Sequence, residues 1–317
     1  MTATQGAQAR GAGQDGGSGP RTVGSTLRAY VALTKPRIIE SLLITTIPTM
    51  FLAAGGFPSL WLIIATMVGG YLAAGGANAL NMYLERDIDA KMKRTRKRPI
   101  PSGAVTPRAA LIFGLTISAV SALWLGLLVN WVSAALAVGA ILLYVVFYTM
   151  ILKRRTSQNI VWGGIAGRMP VLIGWSAVTG TVSWTAVFAV PGDLLLDAAA
   201  LLAAGREVPG RLRQGGRADA RRWCPLARTS RARCSLHTAL MIASSLAIIP
   251  LGETGWVYGV AAVASGAWFG FLVVRYALRV RQGLSGRALA PMKVFHGSIT
   301  YLTVLFVALA IDPFVTL

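Results

Sequence analysis

The sequence predicts an all-α fold, a polytopic membrane helical bundle of about nine membrane-spanning helices. Three observations predict it. The chain has 317 residues, of which 55% are hydrophobic and only 13% charged, with a mean hydropathy of +0.60; a soluble domain carries about a quarter charged residues. Its apolar runs approach the roughly 20 residues a helix needs to cross hydrocarbon. Its cations gather between those runs.

The first 30 residues are polar and Gly-rich, without an apolar core. They read as a disordered cytoplasmic tail rather than a signal peptide, with the membrane domain over 31–317. Spans are expected near 38–54, 60–84, 108–129, 131–152, 160–178, 182–204, 236–252, 256–278 and 293–312. With the N-terminus cytoplasmic, the loops holding Lys91–Arg98, Lys153–Arg155, Arg206–Arg233 and Arg275–Arg287 all fall inside. The opposite loops carry almost no cations, as the positive-inside rule requires. A net charge of +20 is therefore a topology signal, and nucleic acid is excluded as a partner. Trp61, Trp131, Trp184 and Trp256 lie at span ends and fit an aromatic belt. The small-residue runs at 69–80 and 163–167 let helices approach closely.

The second span ends in NALNMYLERDIDAKMKRTRKRPIPSG. A helix puts Asn81, Glu85 and Asp89 on one face, at i, i+4 and i+8. Asp87 falls off that face and reads as an exposed partner of Arg86 or Lys91. Ionisable groups at a membrane position are a functional signal. A dense cationic loop follows, stiffened by Pro99 and Pro101. Oxygen ligands suited to Mg²⁺ beside cations suited to phosphate oxygens suggest a diphosphate site. The bland reading pairs the acids with Arg86 and Lys93 at a solvated helix end; Asn78 and Asn81 inside an apolar segment speak against it. A second cationic cluster, Lys153 and Arg154, ends the fourth span after Tyr148, which is either a packing residue or part of the same pocket.

These segments, with LTKPRIIESLLITTIPTM, LKRRTSQNIVWGGIAGRMPVLIGWSAVTG and more weakly FHGSITYLTVLFVALAID, resemble the UbiA-type intramembrane prenyltransferases. Within them they are most similar to the branch that farnesylates heme B. The resemblance implies nine helices around a central, cytoplasm-facing cavity, with Asn81, Glu85 and Asp89 as the catalytic and metal-holding motif and Mg²⁺ bound through diphosphate. It implies Arg94, Arg98, Lys153, Arg154 and Arg37 as diphosphate-binding residues. The implied reaction is farnesyl transfer from farnesyl diphosphate to a vinyl group of heme B, giving heme O. The implied setting is the bacterial inner (plasma) membrane, a lipid bilayer, with a heme A synthase or oxidase assembly as a partner. A sister family that prenylates aromatic acids is the alternative enzyme reading, and a cation transporter the alternative outside enzymes. His237 and His296, at span starts, are candidates to touch heme and are equally ordinary helix-end residues.

One segment departs from the family. Its second acidic motif, of the type WTPPHFW followed by DY and PM, is absent. Residues 190–235 instead turn basic, with nine Arg from Arg206 to Arg233 and both cysteines, Cys224 and Cys234. The genetic code accounts for this. When the frame moves forward one base, synonymous choices let Leu194 to Ala220 read FFWTPPHYWPLAVKFREDYAKAGVPML, the missing segment in order. The frame is recovered by about Leu236. Asp193 and Asp197 then mimic an acidic motif by accident. A chain without the second motif lacks half of the implied acidic ligands, and a nonfunctional frameshift product is a further alternative.

Overall fold

The computed structural model describes residues 22–92, 95–152, 159–184, 186–187, 226–251, 254–282, 284, 288 and 290–315. The elements are α1 (Val23–Thr34), α2 (Pro36–Leu43), α3 (Thr46–Ala54), α4 (Leu60–Leu84), α5 (Arg86–Lys91), α6 (Pro107–Leu128), α7 (Trp131–Leu142), a π-helical segment (Leu143–Leu152), α8 (Asn159–Thr179), α9 (Leu226–Ala247), α10 (Trp256–Arg281) and α11 (Pro291–Val315). Among the described residues five helices are long and apolar enough to cross a membrane: Leu60–Leu84, Pro107–Leu128, Trp131–Leu152, Trp256–Arg281 and Met292–Val315. Large side chains such as Ile112, Leu127, Val260 and Phe271 face outward, as they do where lipid replaces water. The expected spans fall on these elements except 182–204, most of which lies outside the described residues.

Helix α1 starts at Val23, earlier than the expected end of the tail at residue 30. Thr22 caps it, its side chain accepting from the Ser25 amide. Ala29 and Leu33 bury against Ala79, Met82, Ile100 and Val105, and Tyr30 meets Phe113 edge-on at 5.0 Å. That burial holds the segment helical despite its polar neighbours. Residues 1–21 lie outside the described residues.

The first expected span is two short helices, with a break at Ile44 and Thr45. Pro48 is the cause. A proline lacks the amide that would bond to the carbonyl four residues back, and its ring crowds that carbonyl, here Ile44. Helix α9 begins at Leu226, ten residues before the expected span and inside the segment expected to be disordered. LARTSRARCSLHTAL contains neither Gly nor Pro, and its Ala, Leu and Arg favour helix.

Helices α4 and α6 pack most closely. A Cβ on Gly76 would lie 2.2 Å from Ser118 Oγ and 3.0 Å from the Gly114 carbonyl, so only glycine allows this approach. Ser121 donates to the Gly69 carbonyl (2.7 Å) and Trp124 to that of Ala65 (2.9 Å), tying the helices where no water competes. Asn130 caps α7, accepting from the Ser133 amide at 2.8 Å, and donates to the Ser176 carbonyl of α8 at 2.7 Å. Helix α3 lies between two groups of helices, packing on α8 and on α11. A second core of Met241, Phe269, Val273 and Tyr301 joins α9, α10 and α11, with the Phe269 and Tyr301 rings stacked at 5.6 Å.

Trp61, Trp131, Trp184 and Trp256 are all strongly exposed and all lie at one end of the bundle, opposite the cationic loop. At that end Asp312 of α11, fully buried, caps α10: its carboxylate accepts from the amides of Gly255 and Tyr258, the latter at 2.9 Å.

Candidate diphosphate site and apolar cavity

At the other end α4 stops at Leu84, and Glu85 (φ −96°, ψ 5°) turns the chain into α5. The turn is slight. Glu85 N–H still bonds to the Asn81 carbonyl at 3.0 Å, and Asp89 N–H to the Glu85 carbonyl at 2.8 Å. Asn81, Glu85 and Asp89 therefore stay in line, and all three are buried while Arg86, Asp87 and Ile88 are exposed. Arg86 donates to the Tyr83 carbonyl at 2.8 Å and lies over the Tyr83 ring.

Each end of this row is held by a cation. Arg98 donates to Asp89 Oδ2 at 2.7 Å. The loop that carries it is folded back by bonds from Val105 N–H to the Pro99 carbonyl and from Thr95 Oγ1 to the Asp89 carbonyl. Buried Ile100 and Val105 anchor it. At the other end Lys35 Nζ donates to Asn81 Oδ1 at 3.2 Å. Lys35 adopts a left-handed conformation (φ 57°, ψ 63°) between α1 and α2. Pro36 follows it, and a following proline disfavours the right-handed helical region.

A lysine can only donate, so the oxygen of the Asn81 amide faces Lys35. The amide nitrogen then donates to Thr149 Oγ1 at 3.1 Å. Thr149 passes its own proton to the Tyr144 carbonyl, five residues back, at 2.8 Å. That bond spans one π-helical turn. The π-helical segment thus brings Thr149 round to Asn81 and leaves Tyr144 stacked on Tyr148 (5.6 Å), in keeping with the association of π-bulges and functional sites.

Arg37 lies in the first turn of α2 and is exposed; Lys35, two residues earlier, reaches Asn81. Arg94, Lys153 and Arg154 lie outside the described residues, as do Asp193 and Asp197. His296 is exposed and meets Phe295 edge-on. The sequence reading passed over Lys35, Thr149 and Arg168, an arginine well inside α8. A lone arginine in an apolar run is a signal; the other two depend on backbone conformations that spacing does not show.

Among the described residues no three His, Cys, Asp or Glu side chains gather to hold a metal. The row offers one amide oxygen and two carboxylates. Such hard oxygen donors fit Mg²⁺, which takes one or two protein carboxylates and fills its octahedron with phosphate oxygens and water.

Beside this row lies an apolar cavity of about 220 Å³ between α2, α3, α4, α7 and α8. Asn78 and Tyr144 line it at the end nearest Asn81, and Thr46 and Thr66 at the far end. Asn78 spends its amide on the Thr34 carbonyl (2.9 Å), which ties α4 to the turn that carries Lys35.

A polytopic helical bundle with an acidic row, a cationic loop and an apolar cavity defines a class, and comparison with known proteins agrees. Residues 42–299 match the UbiA prenyltransferase family, and the chain belongs to it. A protoheme IX farnesyltransferase of Streptomyces avermitilis is 48% identical over 299 residues, covering 93% of this chain and 97% of its own. A solved structure concerning digeranylgeranylglyceryl phosphate synthase in membranes superposes with a TM-score of 0.74 at 16% identity, over 91% of this chain and 98% of the other. A UbiA homolog from Archaeoglobus fulgidus bound to GPP and Mg²⁺ superposes with a TM-score of 0.58 at 13% identity, over 89% and 99%. The chain is thus a multi-pass membrane prenyltransferase by family and fold.

Proposed function

We propose that this chain carries out Mg²⁺-dependent transfer of a farnesyl group from farnesyl diphosphate to a vinyl group of heme B, giving heme O. The observation that carries the reading is the buried row of Asn81, Glu85 and Asp89, flanked by Lys35 and Arg98 and opening beside an apolar cavity. The relatives' name favours heme as acceptor, and the Archaeoglobus structure with GPP and Mg²⁺ favours a metal-held prenyl diphosphate as donor.

Asn81, Glu85 and Asp89 would hold the ion, which when bound neutralises the diphosphate as negative charge develops on it. Arg98 and Lys35 donate to diphosphate oxygens, Arg98 through its planar fork and Lys35 as a point charge. Arg37, Arg94, Lys153 and Arg154 are the further diphosphate-binding residues that the family resemblance implies. Cleavage of the C1–O bond leaves the electron pair on diphosphate and an allylic cation on the farnesyl chain. The cavity wall keeps water from that cation until the vinyl group's terminal carbon attacks C1. The positive charge then lies on the carbon next to the porphyrin ring. Water adds there and loses a proton, and the hydroxyethylfarnesyl group results.

In this reading the site and the N-terminus face the cytoplasm from a bacterial inner membrane, which the distribution of cations favours. The same proposal holds that Leu194 to Ala220 are translated out of frame. The test compares the chain with a version carrying FFWTPPHYWPLAVKFREDYAKAGVPML at 194–220, each purified and given farnesyl diphosphate, heme B and Mg²⁺. Heme O detected by mass from the restored version, and little from the chain as written, is the expected result. Prenylated 4-hydroxybenzoate in place of heme O would overturn the acceptor. Coding DNA whose shifted frame spells something else would overturn the frameshift.

A further inference from the structure

We infer that Arg275, Arg279 and Lys293 form a phosphate-binding site for the headgroup of an anionic membrane lipid. The site lies between α10 and α11, at the end of the bundle that carries the cationic loop.

Helices α10 and α11 approach closely where Gly297 leaves room for Leu272, whose Cδ1 would lie 2.7 Å from a Cβ there. Beside that contact, toward the cationic end, the two helices line a cavity of about 110 Å³. Its α10 wall is Leu272, Arg275, Tyr276 and Arg279, a stripe at i, i+3, i+4 and i+7. Its α11 wall includes Ala290 and Lys293. Ala290 is left-handed (φ 49°) and Pro291 opens the helix, which puts Lys293 in its first turn.

Three cations thus meet at one small pocket from two helices. Topology is the simpler account of them, since cations favour this end of a span. Cations that only mark topology spread apart into water, because like charges repel. These three converge, and their own helices offer nothing to offset them. From residue 254 to 317 the one acid is Asp312, which caps α10 at the opposite end of the bundle. Among the described residues no carboxylate pairs with any of the three.

Depth and access point to lipid. About 20 helical residues cross the hydrocarbon. Counted from Trp256 at the far end, they finish at Tyr276, so Arg275 and Arg279 stand at headgroup level. Phe271 faces outward, and the Arg275 guanidinium lies over its ring at 5.5 Å. The pocket therefore borders the lipid-facing side of α10. Arg275 and Lys293 are exposed and Arg279 is half-buried, so a ligand can reach all three. Buried Tyr276 backs them. The volume suits a phosphate group, and neither an acyl chain nor a porphyrin. Basic pockets between spans at this depth are where anionic headgroups are held. Two guanidinium forks and one lysine can share the free oxygens of a phosphodiester. A bound phosphate then offsets the repulsion between α10 and α11 and steadies the pair.

The experiment measures lipid binding to the purified full chain in neutral detergent, by native mass spectrometry and by melting temperature. The probes are phosphatidylglycerol, cardiolipin and phosphatidylcholine, with inorganic phosphate as the free-anion arm. Wild type is expected to hold one anionic lipid about tenfold or more tighter than phosphatidylcholine, and to melt higher with it. Joint Arg275→Gln, Arg279→Gln and Lys293→Gln should weaken the anionic lipids about tenfold or more and abolish the melting shift. These side chains lie outside the core, so that variant should melt without lipid as wild type does. Arg279→Gln alone should give a smaller loss in the same direction. The control Arg28→Gln, Arg108→Gln and Arg281→Gln removes equal charge from exposed positions outside the pocket, and should stay within about twofold of wild type. Equal loss in that control would mean a diffuse surface effect and overturn the inference. Displacement of phosphatidylglycerol by equimolar inorganic phosphate would overturn it too, making the site one for free phosphate. A pocket variant that keeps its lipid but loses affinity for heme B would assign the cations to an acceptor carboxylate instead.

Discussion

Two buried aspartates lie at opposite ends of the bundle, and they are stabilised by different means. Asp312 is met by two backbone amides at the start of α10. Those donors belong to the helix itself and cannot leave without unwinding it. Asp89 is met by the side chain of Arg98, on a loop and a quarter exposed. A guanidinium on a loop can turn from a carboxylate to a phosphate at small cost. The same acid serves architecture at one end and, in the proposed site, exchange of partners at the other. What differs is whether its partner is covalently part of the frame.

The largest contrast should come from the two aspartates themselves. Asp89→Ala should weaken Mg²⁺-dependent binding of farnesyl S-thiolodiphosphate by about a hundredfold or more, with thermal unfolding in detergent nearly unchanged. Asp312→Ala should do the reverse. It strips the cap from α10 and strands two amides, costing about 2 kcal/mol, seen as a melting temperature several degrees lower with donor affinity kept. Equal loss of binding in both variants would erase the distinction.

Lys35→Met should follow, with donor affinity down about tenfold by calorimetry, because one charge-assisted hydrogen bond contributes roughly 1.5–3 kcal/mol. A variant that binds donor normally would show that Lys35 only steadies Asn81. The smallest effect is expected from Thr149→Val, which removes the acceptor that orients the Asn81 amide. The Mg²⁺ concentration needed for half-maximal donor binding should rise a few-fold, and Thr149→Ser should restore it. A rise that serine does not reverse would point to packing instead.

The row at 81, 85 and 89 was readable because an α-helix repeats nearly every four residues, and the turn at Glu85 is too slight to spoil that phase. Five of the expected spans, those on α4, α6, α7 with its π-helical extension, α10 and α11, were readable from apolar length. Other features depend on departures from helical phase. Thr149 reaches Asn81 only because Leu143–Leu152 is π-helical, which shifts every side chain beyond it. Lys35 reaches it only through a left-handed residue. Pro48 was visible in the sequence, yet the break it imposes at Ile44 was read through as continuous helix. Asp312 carried a signal that went unused, being an acid in an apolar run. For the segment 190–235 the proposed reading comes through the code rather than through its side chains.

The short helix α3 is flanked by parts of the chain made far apart in time. It packs on α8, and its Phe51 ring meets Phe314 of α11 at 5.7 Å. During synthesis the ribosome releases α3 long before α11. With nine residues after the Pro48 break, α3 is too short to cross the bilayer unaided. Its side facing α11 therefore stays bare, or in the keeping of the insertion machinery, until the last helix arrives. Completing the bundle is then a late step of biogenesis, and a ribosome stalled before residue 291 holds a nascent chain whose first span has no lasting neighbour on that side.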